Sequence, residues 1–257
     1  MASVFHRTDA SAADLAVKQP IDLKVLNNLR GHTPHFSVYV DPALGPDGQQ
    51  DADTVLAKCE ADYTKISGYF GGLTAGPFSV ILFANPSGAY HMTCSAPDLF
   101  CDAKANQPSG NHSEFLNVAE FVEVFEAVQA AGWDCGASNG EGLSRVLATD
   151  LYPAELDGFA TARSWLDSNR PDFVDRALNS DNDSLANGCS VLFLNWLRFQ
   201  LGYSWQQVAA AAAPTLGETY TKLSGKTDGF KIFSALVDSH FPAGRPSGFA
   251  TDNPFPL

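Results

Sequence analysis

Two short segments decide how this chain reads: Ala119-Glu120-Phe121-Val122-Glu123 and, seventeen residues later, Gly140-Glu141-Gly142-Leu143-Ser144. The first lies inside a run, Glu114–Gln129, whose apolar residues Phe115, Val118, Val122 and Phe125 recur at intervals of three or four, the period of one helix face. Ser113 is placed to cap it. Glu120 and Glu123 lie off the centre of that stripe, where a pair of like charges three residues apart on a solvated face costs only ~0.2–0.5 kcal/mol. The second segment opens another expected helix, Gly140–Leu151, started by Asn139 and ended by Pro153.

Upstream, the pattern is that of a sheet with one helix. Phe36–Val40 alternates like a half-buried strand and runs into Asp41-Pro42. Gly45-Pro46-Asp47-Gly48 reads as a loop. Val55, Cys59, Tyr63, Ile66 and Phe70 then mark a helix over 52–70, capped by Asp51 or Asp53 and stopped by Gly71-Gly72. Phe78–Ala84, Ala89–Ser95 and Leu99–Ala103 complete a set of strands.

Downstream the chain is helical: a short helix over 161–166, an acidic and Asn-rich loop over 170–185, a helix over 190–201 apolar on nearly every side, and further helices over 205–213, 216–223 and 230–241. The expectation is an α+β protein with a small N-terminal mixed β-sheet subdomain carrying one long helix, residues 1–110, and a helical subdomain, residues 111–257.

The 257 residues are 45% hydrophobic and 11% aromatic, enough for a substantial core. A formal charge of -13, with only 16 Lys and Arg and no basic run, excludes a nucleic-acid backbone as partner. No apolar run approaches the ~18 residues of a membrane span, so no membrane insertion is expected. Residues 1–22 show no apolar signal-peptide core. Among the five cysteines, Cys94 and Cys101 flank a turn and are expected to pair, Cys135 and Cys189 are placed to staple two helices, and Cys59 is left free. That pattern favours a secreted protein; five buried thiols in a reducing cytoplasm are the alternative.

Several sites are ruled out. Asp181-Asn182-Asp183 begins like an EF-hand loop, but Ala186 and Leu192 occupy its glycine and glutamate positions. There is no G-x-S-x-G elbow, P-loop or dinucleotide fingerprint. Trp133, Trp165, Trp196 and Trp205 are expected in the core.

The segments A-E-F-V-E and N-G-E-G-L-S, with the strands before them, resemble the gluzincin metallopeptidases, the thermolysin-like and aminopeptidase-like clan, across roughly residues 36–202. There a helical HExxH places two imidazoles one turn apart on one zinc ion, with the intervening Glu as general base. A Glu on the following helix, in an N-E-x-x-S setting, is the third ligand. The resemblance makes Glu120 the former general base and Glu123 and Glu141 the candidate metal ligands, but Ala119 and Glu123 stand where both histidines belong. It also places His91 on the strand edging the cleft and His112 just before the helix, as cleft candidates. Arg145 takes the position at which thermolysin-like members carry an Asp that orients a zinc-bound His.

With both histidines missing, zinc is not expected, and the remaining carboxylates would favour a hard divalent cation such as Ca²⁺ or Mg²⁺, weakly. Three acids converging there would need a counter-charge, and Arg145 is the basic residue within these segments. The expected function is that of a non-catalytic metallopeptidase-like protein that binds a protein, peptide or glycan in the old cleft and carries no cofactor. A metal-dependent hydrolase with a carboxylate site is the alternative.

Overall fold

In the computed structural model, the described residues are 25, 27–85, 88–103, 110–156, 159–179 and 182–257. The N-terminal stretch read for a signal peptide lies outside them.

Five strands form one mixed sheet in the order β1-β2-β3-β5-β4. They are β1 (Leu29–His32), β2 (Phe36–Val40), β3 (Phe78–Phe83), β4 (Ala89–His91) and β5 (Asp98–Asp102). β2, β3 and β5 are parallel, while β1 and β4 are antiparallel edges. The long helix α1 (Gly45–Tyr69) makes the crossover between β2 and β3, as a parallel pair requires. It starts earlier than the helical periodicity suggests. Gly45-Pro46-Asp47-Gly48 forms its first turn rather than a loop, because proline lacks only an N–H that a first turn leaves unbonded anyway.

Alternation along the strands sorts side chains between two faces. Phe36, Val38, Val80, Leu82, Leu99 and Cys101 join the main core. Ile81, Phe83, Tyr90 and Phe100 form a smaller cluster on the opposite face. On edge strand β4, Ala89 belongs to the first set and Tyr90 to the second, so His91 falls on the main-core face.

That face is covered by α1 and by α2 (His112–Gln129). Phe121 of α2 meets the rings of Phe36, Phe78 and Phe125 at centroid distances of 5.7, 5.8 and 6.2 Å. Behind α2 lie α3 (Ser138–Leu151), the short α4 (Ala162–Leu166), and α5 (Ser184–Asn195), which continues as a π-helical turn, Trp196–Gln200. α6 (Trp205–Ala210), α7 (Leu216–Ser224) and α8 (Gly229–His240) follow. α5 begins six residues before the expected Ser190, because Asp183 caps it by accepting from the amides of Leu185 and Ala186. The main core runs from Phe36 through Phe121 and Trp165 to Phe233, and all four tryptophans are buried. Among the described residues, no helix is long and apolar enough to cross a membrane.

The expected cysteine pairing is overturned. Cys94 is bonded to Cys135, and Cys59, Cys101 and Cys189 are free, buried thiols. Cys101 lies on β5 directly opposite Ala89, with its side chain in the core, whereas Cys94 lies three residues beyond the end of β4 in a solvent-facing turn. The two cannot face each other. Cys189 is enclosed in α5, so Cys135 pairs instead with Cys94, across the loop between α2 and α3.

Phe121 joins sheet and helices in one contact set, so Phe121→Ala should destabilise the fold by about 3–5 kcal/mol. Urea unfolding should show this as a lower midpoint at unchanged slope.

Candidate functional site

α2 departs from an ordinary amphipathic helix, because every residue from His112 to Glu126 is buried. The sheet, α1 and α3 all pack on it, leaving its charged residues no solvent side. Glu120, Glu123 and Glu126 have 0% exposure, which corrects the reading of the first two as a solvated face. Their spacing of three residues draws them along one slowly rotating strip of the helix.

His91 reaches this strip from the end of β4. Its Nδ1 lies 3.6 Å from Glu120 Oε2 and its Nε2 lies 3.3 Å from Glu123 Oε2, with all three side chains fully buried. Neither ring nitrogen makes a hydrogen bond among the described residues. The imidazole therefore stands between the two carboxylates as a spacer.

α3 supplies the other wall. Glu141 is fully buried, and Arg145, one turn later, is 2% exposed with Nη2 3.7 Å from Glu141 Oε2. Arg145 Nη1 donates to the carbonyl of Phe159 at 3.3 Å. The expected cation is thus present, paired with Glu141.

The glycines flanking Glu141 have a packing reason. A Cβ at Gly140 would come within 2.3 Å of the Asp134 carbonyl oxygen and 2.6 Å of Glu126 Oε2, and one at Gly142 within 2.6 Å of Ser190 Cβ. These two positions let α3 close on Glu126 from one side and on α5 from the other. Asn139 does not cap α3. It lies inside the helix, and its side-chain amide donates to the carbonyls of Gly132 and Ala213 at 2.9 and 3.2 Å.

Burial dominates the electrostatics. It pushes the Glu120 carboxyl well above the usual carboxylate range; Glu123 and Glu141 push the same way, and Arg145 opposes them. Glu126 is raised by the same desolvation, then by Glu123, Glu141 and Asp134. Both groups favour the neutral acid in the folded protein.

His112, the other cleft candidate, is engaged elsewhere. Its Nε2 lies 3.1 Å from Asp102 Oδ2, and its ring stacks on Phe159 at 5.7 Å. Ala119, which the resemblance aligns with a first histidine, belongs to the apolar core and offers no donor atom. Glu126 was missed in the sequence, although it continues the spacing of Glu120 and Glu123. Asp252 was missed too: it is buried and accepts the amides of Thr161 and Ala162 at 2.9 and 2.7 Å, while desolvation lifts its pKa to about 6. No local pattern marks that role.

The residues best placed to hold a metal ion are His91, Glu123 and Cys135, whose ligand atoms lie within 4.8 Å of one another, and Cys94, Asp134 and Cys135, equally close. Ala119, Glu120 and Glu141 belong to neither set. An open cleft of about 560 Å³ lies elsewhere, lined by Val146, Asp150, Asn195, Phe199, Trp205 and Asp252 among others. No protein-family model matches the chain, and neither curated proteins nor solved structures provide a match.

The raised acids set a pH dependence. In the unfolded chain Glu126 ionises near pH ~4.3, whereas in the fold it holds its proton to higher pH. The native state therefore binds more protons across that window, and stability falls as pH rises through it, by up to about 1.4 kcal/mol per pH unit for each such group. Glu126→Gln should remove its share, giving a higher melting temperature than the parent at pH 7 and a smaller difference at pH 4. A parent-like melting temperature at both pH values would show that Glu126 is solvated.

Proposed function

We propose that this chain is a non-catalytic protein on a metallopeptidase-like scaffold, in which the catalytic centre has become a closed polar core. The observation carrying this reading is His91. Its ring lies between Glu120 and Glu123, on the side of the helix where a zinc-binding helix would present its ligands, and all three residues have 0% exposure.

The order of elements supports the scaffold: a mixed sheet with an antiparallel edge strand, a helix carrying Glu120, then a second helix carrying Glu141. The residues argue against catalytic zinc at the old position. Ala119 offers no donor atom, Glu123 replaces an imidazole, and a catalytic zinc also requires an open coordination position for water. A raised Glu120 could act as an acid, but general catalysis needs contact with substrate, and a fully buried carboxyl has none. Binding falls to the surface, where the open cleft presents Trp205 and Phe199 beside Asp150 and Asp252. Apolar walls with a few convergent polar groups suit a peptide or glycan.

The rival reading, a metal-dependent hydrolase using Glu120, Glu123 and Glu141, is separated by one preparation. The disulfide-bonded protein as purified should contain no stoichiometric zinc by elemental analysis and should cleave no peptide in a mixed library. About one zinc per chain, with cleavage abolished by Glu120→Gln, would establish the hydrolase instead.

A further inference from the structure

One metal-capable corner of the molecule shares Glu123 with the altered motif but draws its other donors from outside it. His91 ends β4, and Cys94 follows it at a spacing of three in the turn before β5. Cys135 approaches from the loop between α2 and α3, and Glu123 from α2. The two candidate donor sets share Cys135, which joins them into a single cluster.

We propose that reduction of the Cys94–Cys135 disulfide converts this corner into a closed zinc site made by His91 Nε2, Glu123, Cys94 and Cys135. Two sulfurs, one imidazole nitrogen and one carboxylate oxygen form a donor set suited to tetrahedral Zn²⁺ and poorly suited to Ca²⁺ or Mg²⁺. Bonds of about 2.0–2.3 Å place tetrahedral donors roughly 3.3–3.8 Å apart. The His91 Nε2 to Glu123 Oε2 separation is already 3.3 Å, and Cys135 Sγ is within 4.8 Å of a His91 ring nitrogen and a Glu123 carboxylate oxygen. Parting of the two sulfurs on reduction supplies the main movement.

A second feature points to a ligand. His91 is fully buried, and neither ring nitrogen makes a hydrogen bond among the described residues, a costly state for an imidazole without a further partner. With Nδ1 facing Glu120 at 3.6 Å and Nε2 facing Glu123 at 3.3 Å, a proton on Nδ1 leaves the Nε2 lone pair for the metal. Glu120, whose carboxyl oxygen faces Nδ1, then acts as a positioning residue for the imidazole. Access is available, since Cys94 is only half-buried and Asp134, beside Cys135, is exposed.

The chemistry balances. A dithiol delivers two electrons and two protons to the S–S bond, giving two thiols on the protein and a cyclic disulfide on the reductant. Zn²⁺ binding then releases the two thiol protons as the thiolates coordinate. With four protein donors there is no open position for water, so the site is structural and compatible with a non-catalytic protein; it does not rest on that reading.

The test uses the full chain, oxidised or reduced with a phosphine, which does not compete for zinc as a dithiol does. Each form is dialysed against Zn²⁺ alone and, in parallel, titrated with Co²⁺. The oxidised protein should bind no zinc. The reduced protein should keep its near-ultraviolet circular dichroism, bind about one Zn²⁺ per chain, and give the thiolate charge-transfer and tetrahedral d–d bands of cobalt. Cys135→Ser should abolish these bands, and Cys101→Ser should leave them intact. Glu120→Gln should weaken zinc binding about 10–100-fold without removing the thiolate band. Zinc binding that survives Cys135→Ser, no binding by the folded reduced chain, or a reduced chain that unfolds and is not restored by Zn²⁺ would each overturn the proposal. Zinc in the oxidised protein accompanied by peptide cleavage would instead contradict the non-catalytic reading alone.

Discussion

The interaction on which the rest depends is the one between the acids of α2 and what surrounds them. Moving a carboxylate from water to a protein interior costs several kcal/mol even after relaxation, and Glu120, Glu123 and Glu126 are all fully buried on one helix, with Glu141 facing them from α3. Such a cluster persists only if some members hold protons and others have partners. Both remedies are present. Desolvation and mutual repulsion favour the neutral form of Glu120 and Glu126, while His91 approaches Glu120 and Glu123 from the sheet edge and Arg145 approaches Glu141 from its own helix.

This arrangement fixes how closely the neighbouring elements pack. Gly140 and Gly142 are needed because Asp134, Glu126 and Ser190 occupy the space a side chain would take. The N-terminal end of α3 therefore lies against Glu126. The Cys94–Cys135 bond ties the turn after β4 to the loop between α2 and α3, which holds His91 on one side of the acids and α3 on the other. A group of polar residues that would be costly singly is thus enclosed by covalent, apolar and electrostatic constraints acting together.

Much of this was legible in the sequence. Alternation in Phe36–Val40 and the three-to-four spacing of Phe115, Val118, Val122 and Phe125 identified β2 and α2, because those periods belong to the backbone geometry itself. That Arg145 would serve as counter-charge to Glu120, Glu123 or Glu141 followed from charge balance, while its choice of Glu141 did not. Three things were not legible. Strand β1, Leu29–His32, is mostly exposed and irregular in register, so it exists through its ladder to β2 and leaves no hydrophobic pattern. The burial of Glu120 and Glu123 depends on the sheet, α1 and α3 covering every side of α2, which is a tertiary fact invisible to a helical period. The cysteine pairing followed strand register: Cys101 opposes Ala89, not Cys94, and proximity in sequence gave the wrong partner.

The compensation of the buried acids is tested most directly by a double-mutant cycle on Arg145 and Glu141, read as unfolding free energy at pH 7 with the disulfide intact. Arg145→Ala alone should cost about 3–5 kcal/mol, because it leaves a carboxylate buried without its cation. In the Arg145→Ala, Glu141→Gln double variant, stability should recover by more than about 1 kcal/mol relative to the sum of the single effects. Single effects that add to within about 0.3–0.5 kcal/mol would show the two residues to be independent and would contradict the compensated core.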